Sequence, residues 1–275
     1  MSTNIENRLH RIEEYLGKEP MNIYTSLEAI ILNVSDVCNR TCAFCPRSHG
    51  YHVPEGHEKF MPLEVVDELS RQVNGKFKGA YSFSGFGEPL FHPQLEEILK
   101  KLNATTGRTT IITNGYNPER IAKLEANSID ISLYSKEDDE FFSRFQREIK
   151  SPVYLKRQYK KGNTFFNNRA GNAGPVDRSV NKCCYITFMK LTIDTNGDIL
   201  QCCSDWKREH VLGNIFKDNI WDVWVDGLYE ERMHMLANER GKCQLCGKCN
   251  SPGDLYGVEF KEFWEKYYAE HQQRI

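Results

Sequence analysis

Cysteines are the residues of this 275-residue chain with the most chemical potential, and all ten of them fall into two groups. The two groups are Cys38, Cys42 and Cys45, then Cys183, Cys184, Cys202, Cys203, Cys243, Cys246 and Cys249. Thiolates at short spacings can reach one metal centre, because a loop returns successive side chains to the same point. Residues 1–20 are polar and lack an apolar secretory stretch, which disfavours a disulfide framework. We therefore expect a cytoplasmic protein whose cysteines bind metal.

The first group has the spacing CxxxCxxC, with Phe44 immediately before the last cysteine. It follows an apolar, strand-like segment at 29–34, so the three thiols share one loop at the end of a strand. Three thiolates ligate three irons of a four-iron cluster and leave the fourth iron open, as three protein ligands leave one position open in catalytic zinc sites. A zinc knuckle or a pair of redox thiols is the alternative interpretation.

The second group surrounds a predicted β-hairpin. An Asn-Gly pair at 196–197 separates two short runs of alternating character, which is a strong hairpin signal. The hairpin would bring Cys184 close to Cys202, and Cys246 and Cys249 would supply a second pair. Four thiolates close either a tetrahedral zinc site or a fully ligated 4Fe–4S cluster, and the spacing does not separate the two.

The middle of the chain alternates strand-like and helix-like stretches. The expected strands are 29–34, 80–84, 109–113, 129–133 and 153–158. The expected helices are 62–73, 93–102, 118–126 and 136–149. Such alternation predicts a parallel sheet with right-handed crossovers, and ligands are expected at the carboxyl ends of its strands.

Charge and hydropathy exclude two classes of partner. Lys and Arg number 36 against 38 Asp and Glu, and a pI near 6.5 offers no broad basic surface for nucleic acid. No apolar run approaches the ~20 residues of a membrane-spanning helix. We expect a small-molecule substrate and neither nucleic acid nor membrane as a partner.

In the order of its motifs the chain resembles the radical S-adenosylmethionine (SAM) superfamily. The cysteine motif follows the first strand, and the Gly-Phe-Gly-Glu-Pro turn at 85–89 is similar to the family's GGE motif, although Phe86 replaces a glycine. Thr-Asn-Gly at 113–115 follows the third strand. The resemblance implies an α/β fold, a partial (β/α)6 TIM-like barrel, with a 4Fe–4S cluster whose open iron binds SAM. One electron would then cleave SAM to a 5′-deoxyadenosyl radical. The residues implied in SAM binding are Phe44, Gly87, Glu88, Thr113, Asn114, Ser132 and Arg144.

The last third of the chain is similar to SPASM and twitch domains. Gly197 lies five residues before Cys202, and Gly-Asn-Ile at 213–215 precedes an Ile-Trp-Asp-Val-Trp segment at 220–224. A complete SPASM motif continues with more cysteines than follow Cys249, so the resemblance implies a small twitch domain of a β-hairpin and a helix. The implied ligands of its single auxiliary 4Fe–4S cluster are Cys184, Cys202, Cys246 and Cys249. Cys243 is an alternative ligand.

These patterns predict four segments along the chain. The expected segments are an N-terminal helical extension at 1–26, the barrel at 27–165, the auxiliary domain at 166–255 and a C-terminal helix at 256–275.

Within the twitch subgroup, the chain resembles the 2-deoxy-scyllo-inosamine dehydrogenases. The shared features are an aromatic-GEPL turn at 86–90, Asn-Arg-Ala-Gly at 168–171 and Leu-Cys-x-x-Cys-Asn at 245–250. The resemblance makes Arg169 the residue that orients the substrate hydroxyl or accepts its proton, and orientation is favoured because a guanidinium stays protonated. It implies oxidation of a secondary alcohol of a sugar, polyol or aminocyclitol. The electron would pass to the auxiliary cluster, and flavodoxin or ferredoxin would supply the reductant.

Two other functions compete with this one. An epimerase or maturase acting on a peptide or nucleotide-sugar would use the same cofactors, with Cys203 or Cys183 returning a hydrogen atom. A zinc-stabilised module without catalysis would use the same cysteines and no iron.

Overall fold

An eight-stranded sheet organises the part of the chain that this computed structural model describes, namely residues 20–161, 167–174, 182–251 and 256–271. The strands are β1 (Ala29–Leu32), β2 (Ala80–Phe83), β3 (Arg108–Thr113), β4 (Ser128–Leu133), β5 (Val153–Arg157), β6 (Lys190–Ile193), β7 (Asp198–Leu200) and β8 (Val211–Asn214). Their order in the sheet is β5-β4-β3-β2-β1-β6-β7-β8, so the described sheet does not close into a full barrel. The predicted partial barrel is confirmed.

Six adjacent strands, from β5 across to β6, run parallel. β1 lies inside this set, and all four of its residues are buried, as its continuous apolar sequence predicts. The sixth parallel strand comes from beyond residue 165, because Ala29 of β1 pairs with Lys190 of β6. The sheet therefore continues across the boundary predicted between barrel and auxiliary domain, and the four-segment division stays a prediction.

Helices cover the parallel part of the sheet and its carboxyl-terminal extension. They are α1 (Leu63–Val73), α2 (Leu95–Asn103), α3 (Pro118–Lys123), α4 (Lys136–Phe145), α5 (Ile186–Met189), α6 (Ile220–Val225), α7 (Tyr229–Leu236) and α8 (Val258–His271). The four predicted barrel helices are present. α4 begins at a capping box between Ser135 and Asp138 and is four residues shorter than predicted, because the chain tightens into a 3-10 turn at Gln146–Glu148. The helix predicted around Leu9 lies outside the described residues.

The predicted hairpin is confirmed. β6 and β7 pair antiparallel, with Thr192 opposite Leu200 and Ile193 opposite Ile199. Gly197 turns the chain with a φ of 80°, a left-handed conformation that a glycine adopts without strain. This turn directs the chain after β7 back toward Cys184.

An arginine fixes the C-terminal helix to the rest of the molecule. Arg232 on α7 is fully buried, and its guanidinium carbon lies 3.6 Å from the ring centroid of Trp264 and 4.2 Å from that of Trp224. Its Nη1 donates to the hydroxyl of Tyr268 at 2.8 Å. Burial lowers the pKa of Arg232 to about 10. Among the described helices, none is long and apolar enough to cross a membrane.

Candidate active site

The first cysteine group lies on the loop after β1. Cys38, Cys42 and Cys45 are half-buried and form no disulfide, and the backbone amide of Cys45 donates to the carbonyl of Cys42 at 2.8 Å. Burial, the largest influence on both thiols, raises the pKa of Cys38 and of Cys45. Thiols held partly out of water, on one short loop and without a partner disulfide, suit a positively charged metal centre that favours their thiolate form.

Two further motifs meet this loop at a buried carboxylate. Glu88 is 3 % exposed, and it accepts hydrogen bonds from Thr113 Oγ1 at 2.6 Å and from the backbone amide of Asn114 at 2.8 Å. Asn114 Nδ2 in turn lies 3.9 Å from Cys38 Sγ. Burial raises the pKa of Glu88, and these hydrogen bonds oppose that effect. The turn after β2 and the turn after β3 thus converge beside the first cysteine.

Gly87 allows the turn after β2 to lie directly on the cysteine loop. A Cβ at this position would stand 2.2 Å from the carbonyl oxygen of Ser35 and 2.7 Å from that of Val37. The backbone amide of Glu88 donates to the same Val37 carbonyl at 2.8 Å. Only a glycine fits such a close backbone approach. Phe86, the departure from the family's glycine, is buried beside Trp206.

An aromatic pair stands on the other side of the loop. Phe44 stacks on Tyr134, the residue after β4, with ring centroids 6.3 Å apart, and the Arg40 guanidinium carbon lies 4.3 Å from the Tyr134 centroid. Burial, the largest influence, raises the pKa of Tyr134; the charge of Cys42 acts in the same direction and a hydrogen bond with Ser132 opposes it. Phe44 and Ser132 are therefore brought together through Tyr134. Tyr134 and Arg40 are absent from the predicted set, although the position after a parallel strand is a signal for Tyr134.

Arg144 forms a hydrogen bond within its own helix. It is exposed on α4, where its Nε donates to the carbonyl of Glu140 at 3.2 Å. A contact between Arg144 and SAM stays a prediction.

The second cysteine group assembles around the hairpin. Cys184 and Cys203 both act electrostatically on Cys202, whose pKa is raised first by a hydrogen bond with Cys203 and then by burial. Cys184 also acts on Cys246. Cys249 packs with Cys202 in a small apolar group. All four predicted ligands of the auxiliary cluster therefore lie in one neighbourhood, at the junction of the hairpin and the segment after α7.

N–H groups point at three of these four sulfurs. Cys202 Sγ accepts from the amide of Ser204 and Cys249 Sγ from the amide of Ser251, each at 3.4 Å. The sulfur of Cys246 accepts from Gln201 Nε2, also at 3.4 Å. Hydrogen bonds to ligand sulfurs tune the potential of iron–sulfur clusters. The donor set thus fits a fully ligated cluster.

Cys243 lies against Cys246. A hydrogen bond with the Cys246 thiol lowers the pKa of Cys243 and raises that of its partner. The two thiols are thus near enough that Cys243 could replace Cys246 as a ligand, and the alternative assignment stays open.

A zinc ion and a four-iron cluster would place these sulfurs differently. A tetrahedral zinc ion draws its sulfurs to about 2.3 Å from one point. Among the described residues, there is no group of three His, Cys, Asp or Glu side chains placed to hold a single metal ion. A four-iron cluster binds each thiolate through a different iron and so accommodates more widely spaced sulfurs.

Arg169 lies on a strained turn between the two cysteine groups. Arg169 and Ala170 have φ values of 48° and 53°, which side-chain-bearing residues rarely adopt. Ala170 packs against Cys249. The charge of Arg169 lowers the pKa of Cys45, although burial outweighs it. The turn therefore shares a small apolar cluster with Cys249, and the charge of Arg169 is near enough to Cys45 to act on its pKa.

Comparison with known families agrees with both sites. The radical SAM superfamily matches residues 32–165, and SPASM, an iron–sulfur cluster-binding domain, matches residues 183–250. The chain belongs to the radical SAM superfamily. As a radical SAM enzyme with a SPASM domain, it has SAM and two 4Fe–4S clusters as its cofactors. Cys38, Cys42 and Cys45 would hold the SAM-binding cluster.

Two named enzymes are similar to the chain over different lengths. The S-adenosyl-L-methionine-dependent 2-deoxy-scyllo-inosamine dehydrogenase of Niallia circulans is 25% identical over 244 residues, covering 81% of this chain and 92% of that enzyme. A GTP 3′,8-cyclase of Mannheimia succiniciproducens is 33% identical over 125 residues, which is 41% of this chain and 34% of the cyclase. The first match covers most of both chains, whereas the second covers less than half of each.

Solved structures show the same fold. The crystal structure of BtrN in complex with AdoMet and 2-DOIA covers 82% of this chain and 93% of its own, with a TM-score of 0.68 and 24% identity. Native anSMEcpe with bound AdoMet covers 90% of this chain and 100% of its own, with a TM-score of 0.54 and 12% identity. The arrangement of the radical SAM barrel with its extension is thus shared with both.

Proposed function

We propose that this enzyme oxidises a secondary alcohol of a sugar, polyol or aminocyclitol to a ketone. When bound, SAM and the first cluster would supply a 5′-deoxyadenosyl radical that takes a hydrogen atom from the carbinol carbon; the hydroxyl proton would then be lost, and the remaining electron would pass to the auxiliary cluster. The protein's own task is to hold the substrate between the two cysteine groups and to keep water out.

The position of Arg169 is the observation that carries this proposal. Its turn packs on the Cys249 side of the auxiliary group, while its charge reaches Cys45 of the first group. A guanidinium stays protonated, so Arg169 would donate hydrogen bonds to the substrate oxygen and orient the hydroxyl. Its positive charge also stabilises negative charge that develops on this oxygen as the hydroxyl proton leaves.

Glu88 and the aromatic pair would hold SAM. The buried Glu88 carboxylate has the chemistry to accept hydrogen bonds from an ammonium group, and Thr113 and the Asn114 amide fix its orientation. Phe44 and Tyr134 offer flat apolar surface beside the cysteine loop. The Gly87 backbone leaves the carboxylate close to Cys38.

The similarity to the Niallia circulans dehydrogenase, over 81% of this chain, supports an alcohol substrate, since that enzyme is named as a dehydrogenase of 2-deoxy-scyllo-inosamine. At 25% identity it supports the reaction class better than the substrate. We propose a small-molecule substrate of this class, a flavodoxin or ferredoxin as electron donor, and a reducing compartment such as the cytoplasm.

A polyol panel tests the proposal. The enzyme is purified and reconstituted without oxygen, which should give about eight irons per chain for two four-iron clusters. It is then incubated with SAM, a reductant and a panel of polyols, sugars and aminocyclitols. One substrate should yield a ketone and 5′-deoxyadenosine in equal amounts. Formation of 5′-deoxyadenosine without an oxidised product from any compound would contradict the dehydrogenase assignment.

Epimerisation is the second candidate, and one observation favours it. Cys203 is half-buried beside Cys202, close enough to the auxiliary site to return a hydrogen atom to a substrate radical. An epimerase in deuterated water would place solvent deuterium on the reactive carbon, and Cys203→Ala would stop this. A dehydrogenase would give ketone without deuterium at that carbon, and Cys203→Ala would leave its ketone yield unchanged.

A further inference from the structure

Arg208 connects the two halves of the molecule through a buried charge network. It lies between β7 and β8 and is 8 % exposed. Its Nε and Nη2 donate to the two carboxylate oxygens of Asp194. The same guanidinium donates to Asp36 Oδ2 and to the hydroxyl of Tyr51. One side chain from the auxiliary-cluster region therefore binds three other side chains, two of which belong to the first cysteine loop.

Asp36 and Arg47 bracket the catalytic cysteines. Asp36 is two residues before Cys38, and Arg47 is two residues after Cys45. Arg47 Nη2 donates to Asp36 Oδ1 at 2.7 Å. Its Nε donates to the carbonyl of Phe86 at 2.8 Å, in the turn that carries Gly87. The ends of the cysteine loop and the glycine-rich turn are thus tied to one carboxylate.

An aromatic layer supports the same junction. The Trp206 ring lies 4.7 Å from that of Phe86 and 4.8 Å from that of Tyr51, measured between centroids. The Arg208 guanidinium carbon is 4.6 Å from the Phe86 centroid. Cys45 packs against this layer. The buried charges therefore rest on side chains that touch a ligand of the first cluster.

The backbone at Arg208 is strained. Its φ is 54°, a left-handed conformation in which glycine or asparagine costs less free energy than arginine. A strained backbone of this kind persists where many surrounding contacts hold it in place, and it occurs mostly at functional positions. An arginine held there indicates that its side chain is needed at the junction.

We propose that Arg208 is a positioning residue for the SAM-binding site. The auxiliary half of the chain would then have a task besides holding its own cluster, because it supplies the cation that fixes Asp36 and with it the loop of Cys38 and Cys45. Removing that cation leaves Asp36 paired with Arg47, and leaves Asp194 with the Asn33 amide and with His57 at 3.9 Å. Buried carboxylates that lose a charged partner are strongly unfavourable. The loop relieves this by moving Asp36 toward water, which displaces the adjacent cysteine. The inference rests on the assignment of the first three cysteines and not on the alcohol substrate.

Arg208→Met in the full chain tests this proposal, because it removes the charge and keeps most of the side-chain volume. The reconstituted variant is compared with wild type for iron and sulfide content, for the Kd of SAM, and for the change that SAM causes in the electron paramagnetic resonance spectrum of the reduced protein. We expect SAM to bind at least tenfold more weakly and the spectral change to be lost, while the signal of the auxiliary cluster is retained.

Three further variants separate positioning from general destabilisation. Arg208→Asn suits the left-handed backbone but removes the cation, and we expect it to behave as Arg208→Met does. Arg208→Lys keeps the charge without the planar fork, so SAM binding should recover in part. Arg232→Met removes a buried arginine whose hydrogen bonds go to Thr187, Val225 and Tyr268 rather than to the first cysteine loop, and it should leave SAM affinity within twofold of wild type.

Two results would overturn the proposal. One is a folded Arg208→Met with wild-type SAM affinity and spectral change; the other is an Arg232→Met that weakens SAM binding as much. If Arg208→Met does not fold, Arg208→Lys decides, since unchanged SAM affinity there would show that the fork is not needed. All these measurements use SAM and iron without any alcohol, so failure of the dehydrogenase assignment leaves them interpretable.

Discussion

Asn168 and Asn250 donate their backbone amides to each other's side-chain oxygens, at 2.6 and 3.1 Å. Asn168 Nδ2 also donates to the carbonyl of Lys248 at 2.9 Å. This reciprocal pair joins the residue before Arg169 to the residue after Cys249. The position of the proposed substrate-binding arginine is therefore coupled to that of the auxiliary cluster. Hydrogen bonds from the segment after Cys249 hold the strained turn in place.

Replacing Asn250 with alanine should loosen the Arg169 turn without removing a cysteine. The substitution removes the side-chain oxygen that accepts from the Asn168 amide. Leaving this buried amide unsatisfied costs roughly 1–3 kcal/mol, which is about a 5- to 150-fold change in the population of the correct turn. We expect ketone formation to fall within this range while iron content stays near wild type. Asn74→Ala, at an exposed helix end, is the control. Equal ketone rates in Asn250→Ala and the control would contradict the coupling.

Replacing Arg169 should uncouple the formation of ketone from the formation of 5′-deoxyadenosine. A charge-assisted hydrogen bond contributes about 1.5–3 kcal/mol, so Arg169→Ala should lower the rate of ketone formation about 10- to 150-fold. SAM binding does not need this residue, and 5′-deoxyadenosine should still form. Arg169→Lys keeps the charge but lacks the planar guanidinium. Its rate of ketone formation should lie between the rates of wild type and Arg169→Ala. The measurement is the ratio of ketone to 5′-deoxyadenosine, and a ratio that stays at one in Arg169→Ala would remove this residue from substrate binding.

The parallel sheet and the hairpin were predictable because both depend on local signals. β1 reads as a continuous apolar run because both its edges and both its faces are covered. The hairpin rests on one Asn-Gly pair. The single helix predicted beside the hairpin is two helices in the structure, α6 and α7, separated around Gly227. A Cβ there would stand 2.7 Å from the carbonyl of Val223, so the chain turns where only glycine fits.

Contacts between distant segments could not be predicted. β6 pairs with β1 across 161 positions of sequence. Nothing in the local sequence of either strand indicates that the other is its partner. The Arg208 network is the clearest case, since Asp36 lies 172 positions away from it. A charged residue near a turn is most often solvated, and only the fold brings this one to a buried carboxylate. Motif order located the cysteines, whereas the framework that orients them depends on tertiary structure.

Iron analysis can decide between Cys243 and Cys246 as auxiliary ligands. Gln201 Nε2 donates to the sulfur of Cys246, and two of the other three predicted ligands likewise accept an N–H group. We therefore expect Cys246→Ala to lose about four of roughly eight irons and Cys243→Ala to keep them. Each variant is the matched control of the other. The opposite pattern of iron loss would exchange the two assignments.

Gly87 should tolerate no side chain, because the atoms that a Cβ would meet are backbone carbonyl oxygens and cannot rotate away. Overpacking of this kind costs about 1–3 kcal/mol, so Gly87→Ala should lower the Tm by roughly 2–10 °C for a chain of this size. It should also push the Glu88 turn away from Cys38 and weaken SAM binding. Gly241→Ala is the matched control, since nothing lies within 4 Å of a Cβ there, and its Tm should stay within ~2 °C of wild type or rise slightly. Thermal unfolding and SAM binding are measured on both variants. Wild-type values for Gly87→Ala would mean that the turn moves away from the cysteine loop at little cost, and the close approach would then not be required for the site.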